Sequence, residues 1–444
     1  MASLSHESLE GRRMRKSVIQ FPAFYVVDQN FARSDGVDAA RAVCSELERT
    51  GLLKKVGPGQ KVIITAGSRG IDCMVEVLNT LAWAVKRKGA SPLILPAMGS
   101  HGGGTARGQM DVLRHLGQTE ETLGAPIHDR LEPIQIGEVR GCPVYADRSA
   151  VHADHIILVN RIKEHTEFIG EIESGLIKMA VVGLGRIAGA EVMHQLAVKS
   201  TYVKAILEIA EVLFEKLPIR GGVAILEDKN NAVCRIEAIP AMAVFEREPE
   251  LLKEALQRHA GLPFDHLDVL LVDEIGKDIS GAGFDTKVIG RIMNIYEKEC
   301  ERPRITRIVL RDLSEKTRGN AIGLGLADFV HRRVVDKMDH EMTAINSITA
   351  VAPEKGRVPI ALASDREALE AALRSIGHWN PDSVRVAWII NTANLNELAV
   401  SSALAREALG RGLEVSKDPF ALPFDANGEL PGLRQTLVER TARG

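Results

Sequence analysis

Long apolar runs are missing from this 444-residue chain. No stretch approaches the roughly 18 consecutive apolar residues a membrane span needs, so no membrane partner is expected. Aromatic side chains make up only 4% of the sequence, which weighs against a base-stacking platform or a carbohydrate groove. Five cysteines, Cys44, Cys73, Cys142, Cys234 and Cys300, lie far apart with no CxxC pair. Neither a zinc knuckle nor a disulfide framework is indicated, and a reducing cytoplasm fits best. An excess of one charge is also lacking, since 56 Lys+Arg face 59 Asp+Glu for a formal net charge of −3. That balance offers no electrostatic footprint for nucleic acid or an anionic membrane. Arg12, Arg13, Arg15 and Lys16 form a basic N-terminal cluster, but no apolar stretch of signal-peptide length follows. Internal repeats and low-complexity tracts are absent.

What is present is the composition of a soluble globular protein, 45% hydrophobic and 26% charged, long enough for two or three domains. Short β-branched runs alternate with amphipathic helical stretches, the pattern of mainly parallel sheets wrapped by helices. Strands are expected at 61–66, 91–98, 155–160, 222–226, 268–275, 304–310, 359–363 and 384–391. After the first of these, Ile71, Met74, Leu78, Leu81 and Val85 share one helical face. Further helices are expected at 198–216, 240–260 with a break at Pro249, 319–338, 365–376 and 395–410. The loop around Gly261 and Pro263 marks a boundary. The expectation is an α/β protein with an N-terminal domain over 1–262 and a C-terminal domain over 263–417. The proline-bearing tail, 418–444, either packs on the first domain or is a loose end.

The segment 160–195, NRIKEHTEFIGEIESGLIKMAVVGLGRIAGAEVMHQ, carries the most chemistry. Lys178 stands among apolar neighbours, where an ammonium must be paired, neutralised or modified, or else reach the surface along its stem. His194 follows sixteen residues later. His165 and His101 each follow an expected strand, at the edge where parallel sheets place their sites, and so does Arg69, whose guanidinium can hold a carboxylate or phosphate in bidentate fashion. Taken singly, each of these also fits a structural or surface role. Gly183, Gly185 and Gly189 give a spacing similar to a dinucleotide-binding turn, although no acidic strand end stands about 20 positions on. The run Gly102–Gly104 can cradle a phosphate with backbone N–H groups or simply form a turn. Arg311, Arg318, His340, Asn346 and Trp379 are polar or aromatic candidates from the second half, better read as surface or packing residues.

Together, the Arg69 turn, Gly99-Ser100-His101, His165, Lys178 and His194, with the segment 274–291 (EIGKDISGAGFDTKVIGR), resemble the nickel-dependent lactate racemase family. The resemblance spans most of the chain. It implies two α/β domains with the active site in the cleft between them, and a nickel pincer nucleotide as cofactor. Residue by residue, it implies that Lys178 anchors the cofactor covalently and His194 is the protein ligand to nickel. His101 and His165 would be the paired acid/base groups, and Arg69 would hold the substrate carboxylate or cofactor phosphate. Lys277 or Lys287 would supply a further cation to the substrate. The activity implied is racemisation or epimerisation of a 2-hydroxy acid, with the enzymes that build the cofactor as partners. Leu176-Ile177 before the lysine, Gly70 after the arginine and Gly102 after the histidine differ from the lactate enzymes, and they cluster around the substrate rather than the cofactor. Two other readings stand beside this one: an NAD(P)-dependent oxidoreductase built on the 183–189 glycines, and a non-catalytic binding protein that keeps the family fold.

Overall fold

Among the described residues fifteen strands follow one another: β1 (Phe24–Asp28), β2 (Lys61–Ala66), β3 (Ser91–Pro96), β4 (Pro133–Val139), β5 (Cys142–Asp147), β6 (His155–Arg161), β7 (Ile219–Glu227), β8 (Val233–Pro240), β9 (His266–Ile275), β10 (Arg304–Leu313), β11 (Phe329–His331), β12 (Ile360–Leu362), β13 (Val386–Ile389), β14 (Glu397–Ser401) and β15 (Glu414–Val415). These come from a computed structural model that describes residues 19–31 and 36–441; the basic cluster at Arg12–Lys16 lies outside the described residues. A five-stranded sheet has the order β3-β2-β6-β7-β8 and an eight-stranded sheet the order β12-β11-β10-β9-β13-β14-β1-β15, while β4 and β5 form a separate hairpin. The first four strands of the smaller sheet run parallel and β8 antiparallel. In the larger sheet β12 through β13 run parallel, and β14, β1 and β15 close the edge antiparallel. The architecture is therefore α/β with mainly parallel sheets.

Both sheets are apolar on both faces, as buried parallel strands must be. In β6, Ile156 and Leu158 face one core while Ile157 and Val159 face the other. In β9, Leu270 and Val272 go to one side and Val269 and Leu271 to the other. Helices Ala39–Thr50 and Met74–Arg87 cover one face of the smaller sheet, and Arg186–Val198, Tyr202–Lys216 and Val244–Gln257 the other. Each fully buried Leu, Ile or Val contributes about 1.5–3 kcal/mol.

Several expectations are corrected. Residues 319–338 are not one helix, because Phe329-Val330-His331 pair as β11 between β10 and β12, leaving a short 3-10 turn at Leu324–Leu326 and an α-helix only over Arg332–Lys337. The expected helix 395–410 starts as β14, whose Leu398 and Val400 are fully buried, and turns helical at Ser402. Helix Val244–Gln257 runs through Pro249 unbroken. The strand β1 belongs to the eight-stranded sheet, so one element from before residue 262 crosses to the second half. The tail packs on that same sheet, against β1 and the core beneath β9 and β13. Phe420 exchanges backbone hydrogen bonds with Phe24, and Leu422, Leu430 and Leu433 join the core beneath Val269 and Trp388.

Candidate functional site

Each parallel sheet has a point where successive strands depart in opposite directions, and the loops at the carboxyl ends diverge there to leave a crevice. In the smaller sheet that point is β2, with β3 on one side and β6 on the other; in the larger it is β9, between β10 and β13. The two crevices face one cleft of about 610 Å³. From the first half it is lined by Gly67–Ile71 after β2, Ala97, Met98 and His101 after β3, and Arg161–Thr166 after β6. Asp278–Gly281 after β9, and Thr392 and Ala393 after β13, line it from the second half.

Arg69 is exposed to the cleft and makes no ion pair among the described residues. His101 opens the glycine turn, in which Gly102, Gly103 and Gly104 all take positive φ, between 65° and 68°. That left-handed path explains the glycine run. A Cβ on Gly102 would lie 2.5 Å from the backbone carbon of Gly108. Nδ1 of His101 meets the Ser68 hydroxyl. Desolvation, then the charges of Arg69, Lys277 and Lys178, push His101 down to about 3, although its ring is open to the cleft. It is therefore neutral at pH 7.

His165 sits on a loop built around Glu173, a buried carboxylate that accepts the backbone N–H of His165 and, at 3.2 Å, that of Gly170. Its ring stacks on Phe168 at 4.7 Å, and Phe168 stacks on Tyr202 at 5.0 Å. Its Nδ1 accepts the Glu167 amide at 3.1 Å. Burial, then Lys178, Lys287 and Lys355, hold the imidazole well below its ordinary range. The second half grips this loop at several points. Thr286 Oγ1 donates to the Thr166 carbonyl at 2.9 Å, Lys287 Nζ donates to the Phe168 carbonyl at 2.8 Å, and the fully buried Lys355 pairs with Glu167.

Lys178 ends the first turn of a helical stretch that runs from Leu176 to Leu184 and continues as Arg186–Val198. The turn starts on a carboxylate: Glu248, fully buried, accepts the Ile177 N–H at 2.9 Å. Burial pushes Glu248 up to about 7. Gly175 is required beside it, because a Cβ there would lie 2.2 Å from Glu248 Oε1. Lys178 itself is half-buried, lines the cleft and has neither an ion pair nor a hydrogen bond among the described residues. Desolvation first, then the Arg69 charge, bring its amine down to about 7, against a smaller opposing effect of Glu167 and Glu173.

The glycines 183, 185 and 189 follow no strand. They lie within the helical stretch, where Gly183 and Gly185 allow close packing: a Cβ on Gly183 would lie 2.9 Å from Ala97 Cβ, and one on Gly185 2.4 Å from the Val181 carbonyl. The dinucleotide-turn reading, and with it the NAD(P) oxidoreductase, loses its structural basis. His194, on helix Arg186–Val198, does not line the cleft but is close enough to Lys178 to feel its charge. Burial, then that charge, push it down to about 4. Its Nδ1 lies 2.8 Å from the Tyr202 hydroxyl, which leaves Nε2 without a hydrogen-bond partner among the described residues.

Of the second-half lysines, Lys277 Nζ donates to the Gly281 carbonyl at 2.9 Å in a cleft-lining loop, and its charge reaches His101. Lys287 is instead spent on Phe168 and Glu173, the latter at 3.4 Å. Arg311 is buried between Asp273 and Asp365, and neither it nor Arg318, His340, Asn346 or Trp379 lines the cleft. The sequence reading missed Ser68, Glu167, Glu173, Glu248, Tyr202 and Lys355, none of which stands in a motif. It also missed the grouping of Glu164, His259 and Asp285 on the cleft wall.

No protein-family model and no curated protein matches the chain. Among solved structures it is similar to the lactate racemase apoprotein from Thermoanaerobacterium thermosaccharolyticum, with a TM-score of 0.52 and 14% identity over 84% of this chain and 99% of that one. At that identity the likeness shows a shared α/β fold.

Proposed function

We propose that the chain is a racemase or epimerase of a 2-hydroxy acid that works with a nickel pincer nucleotide carried on Lys178. The observation that carries the reading is the state of Lys178: a cleft-facing amine without a partner among the described residues, held down at about 7 by desolvation and by the Arg69 charge. Such an amine is neutral enough at physiological pH to be acylated, which is what a covalent anchor asks of it. The other residues fit the same group. His194 presents an uncommitted Nε2 while the Tyr202 hydroxyl holds Nδ1, the arrangement that fixes the ring of a metal-binding histidine. Imidazole nitrogen suits nickel. When bound, the cofactor supplies reversible two-electron redox at the substrate α-carbon.

The chain's own residues do the rest. Arg69, unpaired and cleft-facing, takes the carboxylate in bidentate fashion. His101 and His165 come from loops after different strands and are both neutral, as proton acceptors must be at the start of a cycle. With Nδ1 held by the Glu167 amide, neutral His165 carries its proton on Nε2 and offers it to the substrate oxygen as a hydrogen bond, without transferring it. His101 can place its proton on Nδ1 against Ser68 and leave Nε2 free to accept the hydroxyl proton. For the opposite enantiomer His165 becomes the acceptor, which requires its proton to move to Nδ1 as the Glu167 amide contact is released and Nε2 is freed. In this reading the two sheets are the cores of two domains that close on substrate, and the enzymes that make the nucleotide are its partners in a reducing cytoplasm.

The test is intact-protein mass spectrometry with nickel analysis on protein from a host that makes the nucleotide. The expected result is a covalent mass increase on Lys178 with stoichiometric nickel. His101→Ala and His165→Ala should keep that mass and lose interconversion of 2-hydroxy acid enantiomers. An active Lys178→Ala protein would overturn the assignment.

A further inference from the structure

One group of ligand-type side chains lies on the cleft wall outside the machinery described above. Glu164 comes from the loop after β6, His259 from just past the end of helix Val244–Gln257, and Asp285 from the N-cap of the short helix Thr286–Ile289. One potential ligand atom from each lies within 4.8 Å of the others, and all three residues line the cleft. Glu164 Oε1 lies 2.7 Å from His259 Nδ1, and only 2% of the Glu164 side chain is exposed. Asp285 caps its helix by accepting the Lys287 N–H at 3.0 Å, and its other oxygen makes no hydrogen bond among the described residues. His259 Nε2 is buried without a hydrogen-bond partner among the described residues, while Glu164 Oε1 has only His259 Nδ1 and the Lys163 ammonium against it. Buried polar atoms are rarely left in that state.

We propose that Glu164, His259 and Asp285 form a divalent-cation site, separate from the nickel histidine, that joins the two halves across the cleft. One imidazole and two carboxylates are a donor set for a first-row transition ion such as Mn²⁺, Co²⁺ or Zn²⁺. Two carboxylates balance the ion's charge, and the ion replaces the proton shared by Glu164 and His259. Lys163, whose ammonium lies 3.3 Å from Glu164 Oε1, is a third exposed and free to swing away. Three protein ligands leave coordination positions open to water or to a chelating oxygen ligand.

The test uses full-length protein made without the nucleotide-synthesis enzymes, stripped with chelator, incubated separately with Mn²⁺, Co²⁺ and Zn²⁺, gel-filtered and analysed for metal. Wild type and His194→Ala should each retain one equivalent of at least one ion. Glu164→Gln, His259→Ala and Asp285→Asn, confirmed as folded by circular dichroism, should bind on the order of 100-fold more weakly. Visible absorption of the Co²⁺ protein gives a readout on wild type alone, should the variants not fold. The proposal is overturned if wild type retains no ion, if the three variants bind as wild type does, or if retention is lost in His194→Ala. Failure of nucleotide loading at Lys178 leaves this experiment unaffected, so the two readings fail separately.

Discussion

The protonation state of Lys178 is open to direct measurement. An ordinary lysine titrates at 10.5, and this one is pushed down to about 7. At pH 7 that difference makes the fraction present as free amine on the order of 1,000-fold larger than for a solvated lysine. Two causes are separable. Desolvation is the larger, and the repulsion from Arg69 adds to it, while Glu167 and Glu173 oppose it. Trace acetylation of the protein without nucleotide between pH 5 and 11, with peptides quantified by mass spectrometry, gives a midpoint for each lysine. Because access also limits the rate at Lys178, the midpoint rather than the absolute rate carries the information. Lys178 should rise with a midpoint near 7. Arg69→Ala should move the Lys178 midpoint upward and Glu167→Gln downward. A midpoint near 10 in wild type, or no movement in Arg69→Ala, would refute the electrostatic account and with it the argument that this lysine is prepared for acylation.

Other consequences can be checked on stability and metal affinity. Tyr202→Phe removes the hydroxyl that holds His194 Nδ1, and nickel affinity of the loaded protein should fall about 10- to 100-fold with the covalent mass retained. Glu248 has a folded-state pKa raised from 4.5 to about 7. The folded protein thus binds this proton more tightly, and stability should fall as pH climbs from about 4.5 to about 7. The loss is about 3 kcal/mol, seen as a lower Tm at pH 8 than at pH 5 that Glu248→Gln flattens; parallel curves for the two proteins would count against it. Gly175→Ala forces a Cβ against Glu248 Oε1 at 2.2 Å and should cost about 1–3 kcal/mol in denaturant unfolding. Lys355→Met leaves the Glu167 carboxylate unpaired in the interface and should destabilise by about 3–5 kcal/mol, with Glu167→Gln added in the same chain restoring part of the Tm.

Strands β2, β6, β9 and β10 were legible because an uninterrupted β-branched run has few other uses in a chain of this composition. Arg69, His101 and His165 were legible for a related reason, since a polar residue just past the carboxyl end of a parallel strand stands where such sheets bind ligands. The elements that were missed or misread are those whose character depends on neighbours. Phe329–His331 is too short for its own pattern to outweigh the helical residues that follow, and it becomes a strand because β10 and β12 flank it. Strand β1 and the tail gained their place only once the larger sheet existed to receive them. Lys287, read from its segment as a cation for the substrate, donates to the Phe168 carbonyl on the loop of His165, a contact no spacing along the chain announces.

Local sequence thus determined the α/β class, most of the parallel strands and the identity of the polar residues at their ends, because hydrophobic periodicity and strand ends are properties of consecutive residues. Tertiary structure alone decided the chemical state of those residues. Glu248 reaches the turn of Lys178 from 70 positions downstream, Tyr202 orients His194, Lys355 pairs with Glu167 from the other half, and His259 and Asp285 meet at Glu164. Desolvation and charge act through space over a few ångströms, and no spacing along the chain encodes them.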